Sequence, residues 1–129
     1  MSIKVDRLDH LVLTVQNLDA TCRFYERVLG MERRTFGVDR TTLFFGRQKI
    51  NLHEAARPID PNVRHATPGS ADLCFITETP MAEIMAHLAA EGVEIITGPG
   101  ERSGARATLN SVYVYDPDEN LIEIANETA

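Results

Sequence analysis

RLDHLVLTV, residues Arg7–Val15, places a histidine where an apolar run begins. Leu11, Leu13 and Val15 alternate with Val12 and Thr14. A strand here therefore turns the first set to one face and His10, Val12 and Thr14 to the other. A histidine in that position is a core residue with a satisfied ring, a surface residue, or one arm of a metal site. The next residues predict a helix. Leu18, Cys22, Phe24, Tyr25, Val28 and Leu29 recur near helical spacing, Asn17 or Asp19 can cap the start, and Gly30 can end it.

The same pattern returns from Ala71. ADLCFIT predicts a strand, Thr79 a cap with Pro80 at the first helical position, and Met81, Ile84, Met85 and Leu88 one packed helix face ended by Gly92. Leu11 recurs as Leu73, Leu13 as Phe75 and Gly30 as Gly92, at one constant offset without a gap. Further strands are expected at 32–37, 41–46 and 49–53, and again at 93–97, 110–115 and 120–125. KINLH (Lys49–His53) aligns with LIEIA (Leu121–Ala125) at a larger offset, so the second half has longer loops. Arg57–Ser70 carries the turn residues of a linker, and GPGERSG (Gly98–Gly104) reads as a mobile loop.

This predicts an α+β fold from two strand–helix–strand–strand–strand (βαβββ) modules. They would form one curved mixed sheet with the helices on its outer face. The chain is expected to be one domain, 1–129, with module one at about 8–54, the linker at 55–70 and module two at 71–126.

Composition limits the function. The chain has 129 residues, a formal net charge of −6 and a pI near 5.1. That balance and the lack of a basic cluster argue against nucleic acid as a partner. No apolar run is long enough for a membrane span, and MSIKVDRLDH lacks a signal-peptide core. A cytoplasmic protein with Cys22 and Cys74 as buried free thiols is expected.

Alternation turns His10, Asn51, His53, Asp72, Cys74 and Glu123 away from the helices. His10 is equivalent to Asp72 and Asn51 to Glu123, one pair per module. Burying two carboxylates without a cation is unfavourable. A divalent metal resolves that conflict and takes imidazole and carboxylate donors together.

DHLVLTV, FYERVLGME, GRQKINLHE, PGSADLCFIT and SVYVYDPDENLIEI together resemble the vicinal oxygen chelate superfamily, the glyoxalase, bleomycin-resistance and extradiol-dioxygenase group. The likeness runs from about Leu8 to Asn126. It is strongest to a subgroup of small glyoxalase-domain-containing or virulence-associated proteins. The resemblance implies one divalent ion (Ni, Mn, Co, Zn or Fe) held by His10, His53, Asp72 and Glu123, with Asn51 or His53 completing the set. Glu123 and Asp72 would serve catalysis. Asn51 stands where glyoxalase I members often have a Glu, so efficient methylglyoxal–glutathione isomerisation is not expected. Glu119 stands where the family's turn usually has Gly, and Asn120 is expected to absorb the left-handed conformation.

The function implied is a metal-dependent lyase, isomerase or related enzyme. It would act on a small molecule that chelates the metal through adjacent oxygens. The alternatives are a non-catalytic small-molecule binding or resistance protein and an Fe(II) extradiol-type dioxygenase using His10, His53 and Glu123. Arg47, Lys49, Arg102 and Arg106 can meet a carboxylate or phosphate. Asn51 and Tyr113 can also face the substrate, and Tyr113 can donate a hydrogen bond. A homodimer is expected from the resemblance.

Overall fold

A computed structural model describes residues 2–38 and 40–128. It falls into two compact units, divided between Thr67 and Pro68. Each unit contains the expected βαβββ order. The first has β1 (His10–Val15), α1 (Leu18–Leu29), β2 (Glu32–Phe36), β3 (Arg40–Phe45) and β4 (Gln48–Glu54). The second has β5 (Asp72–Ile76), α2 (Met81–Ala90), β6 (Thr97–Ser103), β7 (Thr108–Tyr115) and β8 (Leu121–Thr128). Each unit closes its own four-stranded mixed sheet, in the orders β1-β4-β3-β2 and β5-β8-β7-β6. In both, the first and last strands run parallel and sit side by side.

The first unit follows its sequence pattern closely. The Asn17 side chain accepts a hydrogen bond from the Ala20 N–H at 2.9 Å, and Gly30 ends α1 in the left-handed region at φ 64°. Cys22, Tyr25 and Val28 of α1 are buried, as are Leu13 and Val15 of β1 and Ile50 and Leu52 of β4. These residues form the expected helix-covered face. The turn at Gly46–Arg47 pairs Phe45 with Gln48, which fixes Thr42 opposite Asn51.

The second unit departs from the expectations in five places. β6 is not 93–97. It begins at Thr97 and runs through the stretch read as a mobile loop. β6 is an edge strand paired only with β7, where a proline costs no ladder bond on the open side. Its register shifts between Thr97 and Gly100. At Gly98, with φ 98°, a Cβ would come 2.3 Å from the Ser111 carbonyl oxygen, so the close approach admits only glycine.

Thr79 does not cap α2. Its hydroxyl accepts from Thr77, and the cap position falls to Pro80, which offers no side-chain acceptor. Ile84 and Leu88 are buried, but Met85 is 36% exposed, so the predicted packed stripe is narrower than four residues. Cys74 is exposed rather than buried, unlike Cys22. It lies on the face of edge strand β5 that α2 does not cover.

The DPDEN turn (Asp116–Asn120) joins β7 to β8. Glu119 itself takes the left-handed conformation, at φ 64°. Asn120 does not absorb it. Asn120 is buried and fixed, donating to Asp116 Oδ2 at 2.8 Å while its own oxygen accepts from the Ala71 N–H at 2.9 Å. Asp116 Oδ1 accepts from the Asp118 and Asn120 N–H groups, both at 2.9 Å. The start of β5 is thereby fastened to the start of β8.

Candidate functional site

In the second unit the uncovered sheet face centres on Glu123. Strand register puts Cys74 on one side of it and Tyr113 on the other. Ser111, two residues before Tyr113 and on the same face, donates its hydroxyl to Glu123 Oε2 at 2.6 Å. Tyr113 also receives the Arg102 Nε–H at 3.2 Å, with the guanidinium 5.3 Å from the ring centre. Partial desolvation raises the Tyr113 phenol above its ordinary pKa; the Arg102 hydrogen bond opposes this and Glu123 reinforces it. Desolvation of the thiol pushes Cys74 up to about 11, with the Glu123 charge and hydrogen bond adding to it. Cys74 is therefore a neutral thiol at physiological pH and a weak nucleophile. Asp72 lies at the start of β5, exposed.

In the first unit the equivalent face centres on Asn51. Its Oδ1 accepts the Thr42 hydroxyl at 2.9 Å. That bond occupies one lone pair of the amide oxygen and does not use the amide N–H donors. His10 begins β1 with its side chain 44% exposed, and its Nδ1 lies 2.8 Å from Asp9 Oδ1. This hydrogen bond holds the Asp9 carboxyl below its ordinary pKa. A metal-binding histidine is usually oriented by such a contact to its second nitrogen. His53, two residues beyond Asn51, is half-buried; its Nδ1 is buried and has no hydrogen-bond partner.

The predicted ligands are divided two and two. His10 and His53 belong to the first unit, Asp72 and Glu123 to the second. Among the described residues, no three His, Cys, Asp or Glu side chains lie together closely enough to hold a metal. Each of His10 and Glu123 is of a residue type that binds divalent ions, and each is oriented within its own unit by a neighbour, Asp9 and Ser111 respectively. His53 lacks that support.

The predicted substrate-binding residues fare differently. Arg102 sits against Tyr113. Arg106 is exposed and engaged by both oxygens of Glu127, at 2.7 and 2.8 Å. Arg47 is exposed in the β3–β4 turn. Lys49 and Asn51 line a cleft of about 440 Å³ together with Phe36, Arg40, Thr42 and His53. Sequence reasoning missed Thr42, Arg40 and Phe36. Thr42 was recoverable: the Gly46–Arg47 turn fixes the hairpin register that sets it opposite Asn51.

The Glyoxalase/Bleomycin resistance protein/Dioxygenase superfamily model matches residues 7–124. The chain belongs to this superfamily. Among its relatives, virulence protein STM3117 of Salmonella typhimurium is 50% identical over 121 residues, covering 94% of this chain and 84% of that protein. Glyoxalase domain-containing protein RDO1 of Mycosarcoma maydis is 44% identical over 124 residues, covering 96% and 70%. The integron cassette protein VCH_CASS1 of V. cholerae superposes with a TM-score of 0.96 at 46% identity, over 99% of this chain and 100% of that one. The paired βαβββ units match the fold of these superfamily structures. No helix among the described residues of this superfamily member is long and apolar enough to cross a membrane.

Proposed function

We propose that this superfamily member is a metal-dependent lyase or isomerase acting on a small molecule with two adjacent oxygens. His10 and Glu123 are the principal ligands. Asp72 and one of Asn51 or His53 complete the set. The observation that carries this reading is the orientation of Glu123 by Ser111 at 2.6 Å, with Tyr113 and Cys74 flanking it. A carboxylate on a surface strand has no need of such a frame; a ligand does.

A divalent ion bound there would supply Lewis acidity to the substrate oxygens. The chain's own residues do the rest. Tyr113, steadied by Arg102, presents a phenol beside Glu123 and can donate a hydrogen bond to a substrate oxygen. Asp72 is exposed at the head of β5, and its carboxylate can accept a proton. Asn51 cannot, which argues against efficient methylglyoxal–glutathione isomerisation. The same absence of a base beside Thr42 favours, as a second reading, a non-catalytic small-molecule binder. The iron dioxygenase reading needs His53 as a ligand and has least support, because nothing orients that ring. A cytoplasmic homodimer remains part of the proposal; Val12 and Ile76, exposed on edge strands β1 and β5, are the kind of apolar surface a second chain covers.

The test is a metal titration of chelator-stripped protein with Mn, Ni, Co, Zn and Fe(II), followed by calorimetry. Binding of about one ion per chain is expected. Failure of every ion to bind at micromolar concentration overturns the enzymatic reading and leaves the binder.

A further inference from the structure

We infer that the cleft of the first unit is an anion-binding subsite. It would take the carboxylate or phosphonate-type group of a small organic acid whose apolar body lies against Phe36 and Leu52. This deepens the proposed function by naming a substrate class, and it rests on the reading of the chain as a small-molecule protein.

Charge is the first argument. The chain as a whole is acidic, with 19 Asp and Glu against 13 Lys and Arg. Yet the described residues lining this cleft include Arg40, Lys49 and His53 and no carboxylate. Neighbouring cations on β2 are compensated. Arg34 makes a bidentate pair with Glu32, both contacts 3.1 Å, and Arg33 reaches Asp19 at 3.2 Å. Lys49 exerts a small pull on Asp9, but Asp9 is committed to His10. A concavity whose described lining carries cations and no carboxylate attracts anions even on an acidic protein.

Shape and polarity agree. At about 440 Å³ the cleft falls in the range of small-molecule sites. Phe36 forms part of its wall, and Phe44 supports that ring edge-on at 6.3 Å between centres. Phe44 in turn lies 6.0 Å from the Lys49 ammonium. The apolar part of a ligand and its charged end would thus meet adjoining surfaces. Thr42 holds the oxygen of Asn51, so the Asn51 amide group is presented as a donor. Cations plus a donor amide read an acceptor-only group.

The experiment is an amide-resonance titration of the full chain with three probes: phenylacetate, phenylphosphonate and the uncharged phenylacetamide. It is run on the natural protein and on Lys49→Gln, Arg40→Gln and Lys49→Arg. One or both anions should shift Thr42 and Leu52, and phenylacetamide should not. A response to phenylacetate alone identifies a carboxylate site, and a response to phenylphosphonate alone a phosphonate-type site. Lys49→Gln and Arg40→Gln should each weaken anion binding about tenfold, the size of one charge-assisted hydrogen bond. Lys49→Arg should keep most of the affinity, which separates lost charge from lost folding. The inference is overturned by no response to any probe at millimolar concentration, by equal binding of phenylacetamide, by unchanged affinity in both Gln variants, or by shifts confined to residues 68–128. Metal titration of the same samples keeps the two readings apart. Anion binding without metal binding would sink the metal-enzyme reading and leave this subsite standing; metal binding without an anion response would do the reverse.

Discussion

Asn51 and Glu123 occupy the same place in the two units, the middle of the last strand, turned away from the helix. Around Asn51 the partners are Thr42 across the hairpin and Val12 on the parallel side. Around Glu123 they are Tyr113 and Cys74. The duplication kept the backbone and changed the chemistry. One unit presents a neutral amide pinned by a hydroxyl, above a cleft with cationic walls. The other presents a carboxylate surrounded by donors. The asymmetric pair lets one unit carry negative charge and leaves the other free to receive it from a ligand.

The sharpest way to break this comparison is Glu123→Gln, which makes the second unit resemble the first. Metal affinity should fall tenfold or more, about 1.4 kcal/mol or above. The metal-free protein should remain folded. Unchanged affinity, read by calorimetry, would remove Glu123 from the ligand set. Ser111→Ala leaves the charge in place but removes its orienting donor, and should cost about tenfold in metal affinity. If Ser111→Ala lowers only the melting temperature, the Ser111–Glu123 bond is structural.

Cys74 reports on the same charge. In the metal-free natural protein its thiol ionises only near 11, so alkylation at pH 8 should be slow. Removing a neighbouring negative charge favours the thiolate. Glu123→Gln should therefore move the alkylation profile to lower pH, by about one unit. A profile that stays put would mean that desolvation, with the Asp72 charge, sets the thiol without Glu123. Thr42→Val tests the neutral unit. It strips the donor from Asn51 Oδ1 and should cost about 1 kcal/mol of stability; metal affinity should change only if Asn51, rather than His53, completes the ligand set.

The smallest effect is expected at Arg106. Its hydrogen bonds hold the Glu127 carboxyl below its ordinary pKa in the folded chain. The stabilisation from that pair is complete above the ordinary carboxylate range and is lost as pH falls through the folded value. Arg106→Gln should slightly lower stability on the neutral side and leave the acid end, where Glu127 is protonated, nearly unchanged, as measured by melting between pH 3 and 7, about the range where carboxylates titrate.

How much of this was readable without coordinates differs between the units for physical reasons. In the first, caps, periodicity and turn chemistry agree, so Asn17, Gly30 and the alternation of β1 and β4 located every element. In the second, Gly98–Gly104 has the composition of a loop, and only pairing with β7 makes it a strand. Local propensity cannot register a partner that lies across the sheet. The outward set of His10, Asn51, His53, Asp72 and Glu123 was legible because a two-residue period assigns faces. The hydrogen-bond partners that distinguish these residues were not. Asp9 beside His10 depends on rotamers, and the unpartnered Nδ1 of His53 depends on what its neighbours fail to offer. Arg40 and Phe36 were invisible for another reason: each is an ordinary exposed strand residue until the cleft between them exists.

The clasp between Asn120, Asp116 and Ala71 has a bearing on how such a molecule can change over generations. It ties down the last residues of the connecting segment, and Gly69 passes so near the Asp118 carbonyl oxygen that a Cβ would approach to 2.6 Å. Length added or deleted after that point would slide β5 along β8 by a residue, and Cys74 would no longer face Glu123. Length added earlier, among residues 57–67, meets no such ruler. Insertions there can lengthen the tether while the register around Glu123 is preserved.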